Sequence, residues 1–151
     1  MIVFRIAKEK WITDLSGIGA KLSGGRWNPK GLPIIYCAST SSLAILEKLV
    51  NVDYDLLPDD YFLAELEVPD SSIVKIPIKD LPGDWNQFPS PDKLKEIGKE
   101  WIENGKHLIL QVPSAVNPTE VNYLLNVQHP LIKKIKIKKT YPISIDERLT
   151  K

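Results

Sequence analysis

Short runs of apolar residues, many of them alternating with polar ones, dominate the chain and predict a protein made mainly of strands. Alternation with a period of two is typical of a strand with one buried face, and a brief continuous apolar run is typical of a strand buried on both faces. The predicted strands are residues 1–7, 33–38, 61–68, 73–78, 107–113 and 131–140, with 141–149 as a C-terminal strand and tail. The run at 107–113 is expected to be a central strand, whereas Pro77 places 73–78 near an edge of the sheet or ends that strand.

Apolar residues at helical spacing predict three helices between these strands. The first follows a run of N-capping residues at 39–42, and its apolar face combines Leu43, Leu46 and Val50 at about 100° per residue. The second helix occupies 90–105, with serine and proline at its start and glycine at its end. The third begins at the turn-like sequence 117–120. Its inward residues are expected to be Val121, Leu124 and Leu125.

Two segments are predicted to be irregular. Residues 14–25 are expected to form a loop, although Gly17 and Gly19 match the start of a dinucleotide-binding fingerprint. That motif needs a third glycine and a preceding strand within a βαβ unit, and Leu22 stands where the third glycine belongs. The polar stretch 52–60 is predicted to be a turn-rich connection.

These elements together predict the α+β fold class, with mixed, mostly antiparallel sheets and a few short helices. No repeat, low-complexity tract or linker divides the chain, so residues 1–151 are expected to form one domain. A chain of 151 residues is long enough to bury a hydrophobic core without disulfide bonds.

Composition narrows the class of protein further. The net charge of +1 gives no argument for a nucleic acid or an anionic membrane as a direct partner. Cys37 is the single cysteine, which fits a reducing compartment. The N-terminus lacks the apolar run of a signal peptide and no stretch approaches a membrane span, so a cytoplasmic location is expected. Two distant histidines and one cysteine do not make a metal site.

Candidate chemistry is concentrated between Gly24 and Glu47. Two glycines precede Arg26, a permanent cation with a planar fork of donors. Tyr36 lies on the strand that follows, and Glu47 falls within the apolar face of the first helix, where burying a carboxylate is costly. One interpretation is a core tyrosine with a structural Arg26–Glu47 ion pair, because structural pairs also perturb ionisable groups. The other interpretation is a functional site.

The same stretch carries a family resemblance when it is taken with motifs at either end of the chain. R-I-A near the start, GGRWN, the Y-x10-E spacing, V-P-S-A-V, N-Y-L-L-N and H-P together resemble the RES domain over residues 5–149. That family is named for its Arg, Glu and Ser, and its members are toxins of bacterial RES–Xre toxin–antitoxin pairs. The resemblance implies an ADP-ribosyltransferase-like fold that consumes NAD+, with functional residues at Arg26, Tyr36, Glu47 and Ser114.

Within that resemblance, the chemistry of each residue suggests a role. Cleavage of the bond between nicotinamide and ribose builds positive charge on the sugar, which the carboxylate of Glu47 would stabilise. Tyr36 would stack on the flat nicotinamide ring, and Arg26 would bind the pyrophosphate, with the Gly25 amide close to the same group. Ser114 would orient the ribose or the carboxamide. Arg5 is either a surface or edge residue or a further phosphate contact.

The expected function is therefore that of a toxin of a type II toxin–antitoxin pair that degrades NAD+ or transfers its ADP-ribose. NAD+ would be the substrate, and no separate cofactor is expected. The resemblance implies a cognate Xre-type antitoxin as partner and an oligomer with it, and direct binding of nucleic acid is not expected. The alternative is a non-catalytic module of the same fold that binds a nucleotide or a protein.

Overall fold

A single seven-stranded sheet forms the centre of the protein, whose computed structural model describes residues 1–53 and 59–150. The strands are β1 (Ile2–Lys8), β2 (Ile34–Ala38), β3 (Tyr61–Glu67), β4 (Ile73–Lys75), β5 (Ile109–Pro113), β6 (Val121–Asn126) and β7 (Lys136–Pro142). Their order in the sheet is β4-β5-β6-β2-β1-β3-β7. The β4–β5 pair is parallel, and the other pairs are antiparallel. The expected α+β class with mostly antiparallel pairing is confirmed.

Three α-helices accompany the sheet in the described part of the chain: α1 (Ile18–Ser23), α2 (Ser41–Leu49) and α3 (Asp92–Asn104). The hydroxyl oxygen of Thr40 caps α2 by accepting a hydrogen bond from the Leu43 amide at 3.1 Å, as the run of capping residues predicts. Gly105, at φ +62°, ends α3 in the left-handed conformation that glycine adopts readily. None of the described helices has the length and apolar character needed to cross a membrane.

The two faces of the sheet are covered differently. On one face, Val3, Cys37 and Leu125 belong to a single large cluster that the segments after β1 and β6 cover. On the other face, α2 packs over a small cluster that includes Ala38, and α3 packs over a larger one that includes Leu124. Since neighbouring residues of a strand point to opposite faces, register decides which residues meet the helices.

The third predicted helix is wrong, because residues 121–126 form β6. The sequence 117–120 makes a tight turn, in which the Glu120 amide donates to the Asn117 carbonyl at 3.0 Å. The strand that follows is paired on both edges, with β2 and with β5. Leu124 and Leu125 are both fully buried, on opposite faces of the sheet. Two adjacent apolar residues of this kind also occur in buried helices, so the pattern alone does not separate the two structures.

The structure also differs from the sequence prediction in two of the helices and in the C-terminal segment. Residues 18–23, expected in a loop, form α1 instead. The buried residues of α2 are Leu43, Ala44 and Leu49, whereas Leu46 and Val50 are exposed, so Glu47 lies at the margin of the buried face. The C-terminal segment adds no separate strand, because β7 runs through to Pro142 and a 3-10 turn follows at Glu147–Thr150. The connection predicted at 52–60 lies largely in residues 54–58, outside the described residues.

Candidate active site

The GGRWN sequence forms a tight turn that presents Arg26 beside the helical face of the sheet. The Gly25 amide donates to the Asn28 carbonyl at 3.0 Å, so Arg26 and Trp27 occupy the tip of the turn. Trp27 is buried, and its carbonyl lies so close to Gly98 of α3 that any Cβ there would overlap it. Helix α3 therefore supports the turn from below.

Asn28 and Tyr36 hold this turn from inside. Asn28 is fully buried, and its Nδ2 donates to backbone carbonyls that include those of Ala20 and Leu32, at 2.9 and 3.1 Å. The Tyr36 hydroxyl donates to Asn28 Oδ1 at 2.7 Å and accepts from the Trp27 amide at 3.1 Å. Burial raises the pKa of Tyr36, so its hydroxyl stays protonated at neutral pH.

Gly25 is needed at its position because of Tyr36. A Cβ on Gly25 would lie 2.6 Å from the Tyr36 hydroxyl oxygen and 3.0 Å from Asn28 Oδ1. The structure thus gives Gly25 a packing function, and its predicted contact with a substrate phosphate stays a prediction.

One nitrogen of Arg26 is engaged with a second loop. Nη1 donates to the carbonyls of Trp85 and Gln87, at 2.9 and 3.0 Å, and the buried Trp85 ring anchors that loop in the core under α3. Burial lowers the pKa of the Arg26 guanidinium, the nearby carboxylate of Glu47 opposes this shift, and the group stays charged at neutral pH. The other guanidinium nitrogens of Arg26 have no hydrogen-bond partner among the described residues, so they can bind an anion.

The predicted structural ion pair between Arg26 and Glu47 is absent from the described ion pairs. Glu47 instead accepts two short hydrogen bonds on one oxygen. Ser114 Oγ lies 2.7 Å and Asn122 Nδ2 lies 2.6 Å from Glu47 Oε1. The second oxygen, Oε2, accepts no hydrogen bond within the described residues, and the side chain is partly exposed. Glu47 is therefore fixed through one oxygen and available through the other.

Ser114 lies behind Glu47 and not in the open part of the site. It is fully buried at the end of β5, and its Oγ accepts hydrogen bonds from the backbone amides of Val116 and Asn117, at 3.1 and 3.0 Å. Its contact with Glu47 is direct. The predicted contact of Ser114 with ribose or carboxamide stays a prediction.

Arg5 lies on the opposite face of the sheet. Phe4 pairs with Ala38, so Arg5 is beside Cys37 and points away from the face that carries Tyr36. Its Nη1 donates to the carbonyls of residues 12 and 14, at 3.2 and 2.6 Å. The structure does not bring Arg5 to Glu47. Burial also raises the pKa of the Cys37 thiol to about 12, which leaves it unreactive at neutral pH.

Sequence reasoning missed Asn122 as a contact of Glu47. The sequence was interpreted there as a helix, and this prediction was wrong. Only the pairing of β6 with β2 places Asn122 opposite Ala38, under α2. A strand interpretation would have placed it on the same face as Leu124, and a polar residue at an inward position of a strand is a signal for a site. Among the described residues no group of three or more His, Cys, Asp or Glu side chains could hold a metal ion.

The geometry therefore combines an anion and a cation on one face of an α+β sheet. Glu47, on α2, and Arg26, on the GGRWN turn, are near enough to interact electrostatically without direct contact. Tyr36 lies at the base of the same turn. Such a site can bind a ligand that has a positive or electron-poor centre near a phosphate. The fold and the site define an α+β protein with a candidate site that pairs a carboxylate and a guanidinium on one face of its sheet.

Comparison with known proteins agrees with this class. The RES domain model matches residues 2–146. The chain is 40% identical to "Toxin Res" of Photorhabdus laumondii, over 100% of this chain and 98% of that protein. It is 38% identical to "Prs ADP-ribosylating toxin" of Sphingobium sp., over 90% of this chain and 86% of that protein. This protein belongs to the RES domain family.

A solved structure shows the same fold at low sequence identity. The chain superposes on a chain from the crystal structure of the M. tuberculosis MbcT–MbcA toxin–antitoxin complex with a TM-score of 0.77. Identity is 19%, and the match covers 95% of this chain and 84% of the other. The expected family and fold are thus confirmed.

Proposed function

We propose that this protein is the toxin of a toxin–antitoxin pair and that it consumes NAD+ by cleaving the bond between nicotinamide and ribose. The observation that carries this proposal is the state of Glu47, whose Oε1 is held by two donors while Oε2 is left for a ligand. A carboxylate fixed in this way is suited to stabilising positive charge that develops on a sugar ring.

In the proposed reaction the C1′–N bond breaks and its electron pair leaves with neutral nicotinamide. The ribose gains oxocarbenium character, and the negative charge of Glu47 would stabilise this developing positive charge. An acceptor oxygen or nitrogen then forms a bond to C1′ and loses its proton. Water, phosphate and a protein side chain are the three acceptor classes for the ADP-ribosyl group, and analysis of the products distinguishes them.

The other residues of the site suit the remaining parts of NAD+. The free nitrogens of Arg26 would bind the pyrophosphate by charge-assisted hydrogen bonds. The ring of Tyr36 would lie against the nicotinamide, since the side chain is partly exposed while its hydroxyl is occupied by the GGRWN turn. Ser114, being fully buried, would act on the substrate through Glu47.

An antitoxin partner follows from the same proposal. The relatives named as toxins and the fold match to a chain from a toxin–antitoxin complex support a cognate antitoxin, and we propose one of the Xre type that covers the site. Co-purification of the chain with the product of the neighbouring gene, and loss of activity in that complex, would test the partner.

The decisive experiment is incubation of the pure protein with NAD+, with chromatography of nicotinamide and of the ADP-ribose products. We expect nicotinamide to appear in step with the loss of NAD+, and expression without the antitoxin to lower cellular NAD+ and slow growth. Glu47→Gln prepared in parallel is the control for contaminating activity. Binding of NAD+ without nicotinamide release would favour the non-catalytic binding module.

A further inference from the structure

We infer that Asn122 is a positioning residue for the reaction, and that it clamps Glu47 together with Ser114. This inference rests on the proposed function and adds a residue to it. Asn122 lies in the middle of the sheet, between Ala38 of β2 and Val112 of β5, on the face that α2 covers. Its Nδ2 is 2.6 Å from Glu47 Oε1, the shorter of the two contacts of that carboxylate.

The direction of the Ser114 hydrogen bond is determined by its surroundings. Ser114 Oγ accepts from the amides of Val116 and Asn117, so both of its lone pairs are occupied. The hydroxyl hydrogen is then free only to donate, and it is directed at Glu47 Oε1. Ser114 is therefore an obligate donor to the carboxylate.

The orientation of the Asn122 amide is determined by Glu47. If the amide were reversed, Oδ1 would face the carboxylate oxygen at hydrogen-bonding distance, and the two negative atoms would repel each other. In the observed orientation Oδ1 is buried and has no hydrogen-bond partner within the described residues. A buried acceptor without a donor destabilises a fold, so Asn122 satisfies the carboxylate and leaves its own carbonyl unsatisfied.

A residue that lowers stability while holding a functional group is typical of an active site. The contact is made here by side chains, because Glu47 comes from the helix α2, Asn122 from β6 and Ser114 from the residue after β5. A second link supports the first: Glu120 accepts hydrogen bonds from Thr40, at the start of α2, and from Asn117, both at 2.9 Å. Together these contacts hold Glu47 Oε2 in one direction.

Asn126 provides a matched control on the same strand and face. It is fully buried like the Asn122 carbonyl, but its amide is satisfied on both sides, by Ile102 O at 3.3 Å and by the Gln128 amide at 3.0 Å. Replacing Asn126 removes satisfied hydrogen bonds away from Glu47. Replacing Asn122 removes an unsatisfied carbonyl and one of the two donors to Glu47.

The experiment compares Asn122→Leu with Asn126→Leu by thermal unfolding and by nicotinamide release over a range of NAD+ concentrations. We expect Asn122→Leu to keep or raise Tm and to lower kcat at least about tenfold with KM little changed, because a misplaced catalytic group costs rate more than binding. We expect Asn126→Leu to lower Tm and to leave kcat near the wild-type value. A loss of Tm in Asn122→Leu equal to that of Asn126→Leu, or an unchanged kcat, would overturn the inference.

A double-mutant cycle tests whether Asn122 acts through Glu47. In a Glu47→Gln background, Asn122→Leu should cause no further loss of the residual rate. A further loss as large as in the wild-type background would mean that Asn122 acts independently, which contradicts the clamp. Absence of nicotinamide release from the wild-type protein would refute the proposed function itself, a result distinct from any difference between the two asparagine variants in Tm.

Discussion

Two arginines make the same local contact on opposite faces of the sheet, and only one of them lies beside Glu47. In each, a single guanidinium nitrogen donates to two carbonyls of a loop, at residues 12 and 14 for Arg5 and at 85 and 87 for Arg26. Burial lowers the pKa of both groups. The opposing charge is Glu47 for Arg26, whereas Arg5 has Cys37 and Asp14 as its electrostatic neighbours.

The difference shows that register, and not residue type, decides which cation can serve a site. Arg5 is on a central strand, where the β1–β2 pairing turns it to the face without α2. Arg26 is on a turn and is carried to the other face by contacts with Tyr36, Asn28 and α3. The proposed function therefore predicts chemistry on the Arg26 face alone, and four substitutions test this prediction in order of expected effect.

The largest effect is expected for Glu47→Gln, which removes the charge and keeps the shape. Nicotinamide release should fall at least about a hundredfold, since charge stabilisation of this kind supplies some 3 kcal/mol or more. Tm should stay equal or rise, because no ion pair with Arg26 is lost and the Gln carbonyl can still accept from Ser114 and Asn122. Melting curves and rates of nicotinamide release, measured on one preparation, test both expectations. A folded variant with full activity would remove the chemistry from this face.

Arg26→Lys should have the next largest effect. Lysine keeps the charge but cannot bind two loop carbonyls and a phosphate with one planar group. We expect turnover to fall at least about tenfold, a loss of roughly 1.4 kcal/mol in transition-state stabilisation. The check is steady-state kinetics with NAD+, and wild-type kinetics in this variant would exclude Arg26 from the site.

Gly25→Ala should have an intermediate effect that acts through the turn. The new Cβ would lie 2.6 Å from the Tyr36 hydroxyl oxygen, so the Tyr36–Asn28 hydrogen bond must lengthen or break. We expect stability to fall by about 1 kcal/mol, the usual worth of one such bond, with a fall in turnover smaller than that of Arg26→Lys. Gly19→Ala is the control, because a Cβ at that position on α1 would have no atom within 4 Å among its described neighbours. A Gly25→Ala protein as stable and active as Gly19→Ala would contradict the packing role.

Arg5→Lys should have the smallest effect on activity and sharpens the contrast between the two faces. Turnover should stay close to the wild-type rate, while stability falls by about 1 kcal/mol because a flexible ammonium lacks the planar guanidinium geometry with which one nitrogen bonds both carbonyls. Denaturant unfolding and the nicotinamide assay measure both quantities. A loss of turnover comparable to that of Arg26→Lys would show that the two faces are not separate in function.

Much of the fold could be predicted from local patterns, for physical reasons that apply at each element. β2 and β5 are short apolar runs, β3 alternates apolar and polar residues towards its end, and α3 has a complete helical stripe with glycine after its end. Helix α1 was missed because six residues are too few to show a helical period. β6 was missed because it is buried on both faces, so its adjacent leucines do not alternate with polar residues.

The candidate site also has a part that the sequence predicts and a part that it does not. Arg26, Tyr36 and Glu47 could be proposed from the sequence because they are close together in it and belong to family motifs. The Ser114 and Asn122 contacts of Glu47 could not be found from spacing, since both arise from the packing of α2 across β5 and β6. The expectation for Arg5 followed its motif, and no local signal revealed which face the strand would give it.

The two hydrogen bonds of Glu47 join residues that are 67 and 75 positions apart in the chain. Contacts of such long range form late and slow the folding of a domain. A nascent chain that has not yet reached residue 122 contains Arg26, Tyr36 and Glu47 but lacks the strand that carries one of the two donors and pairs with β2 and β5. With the proposed activity, the growing chain would thus be inactive through most of its own synthesis.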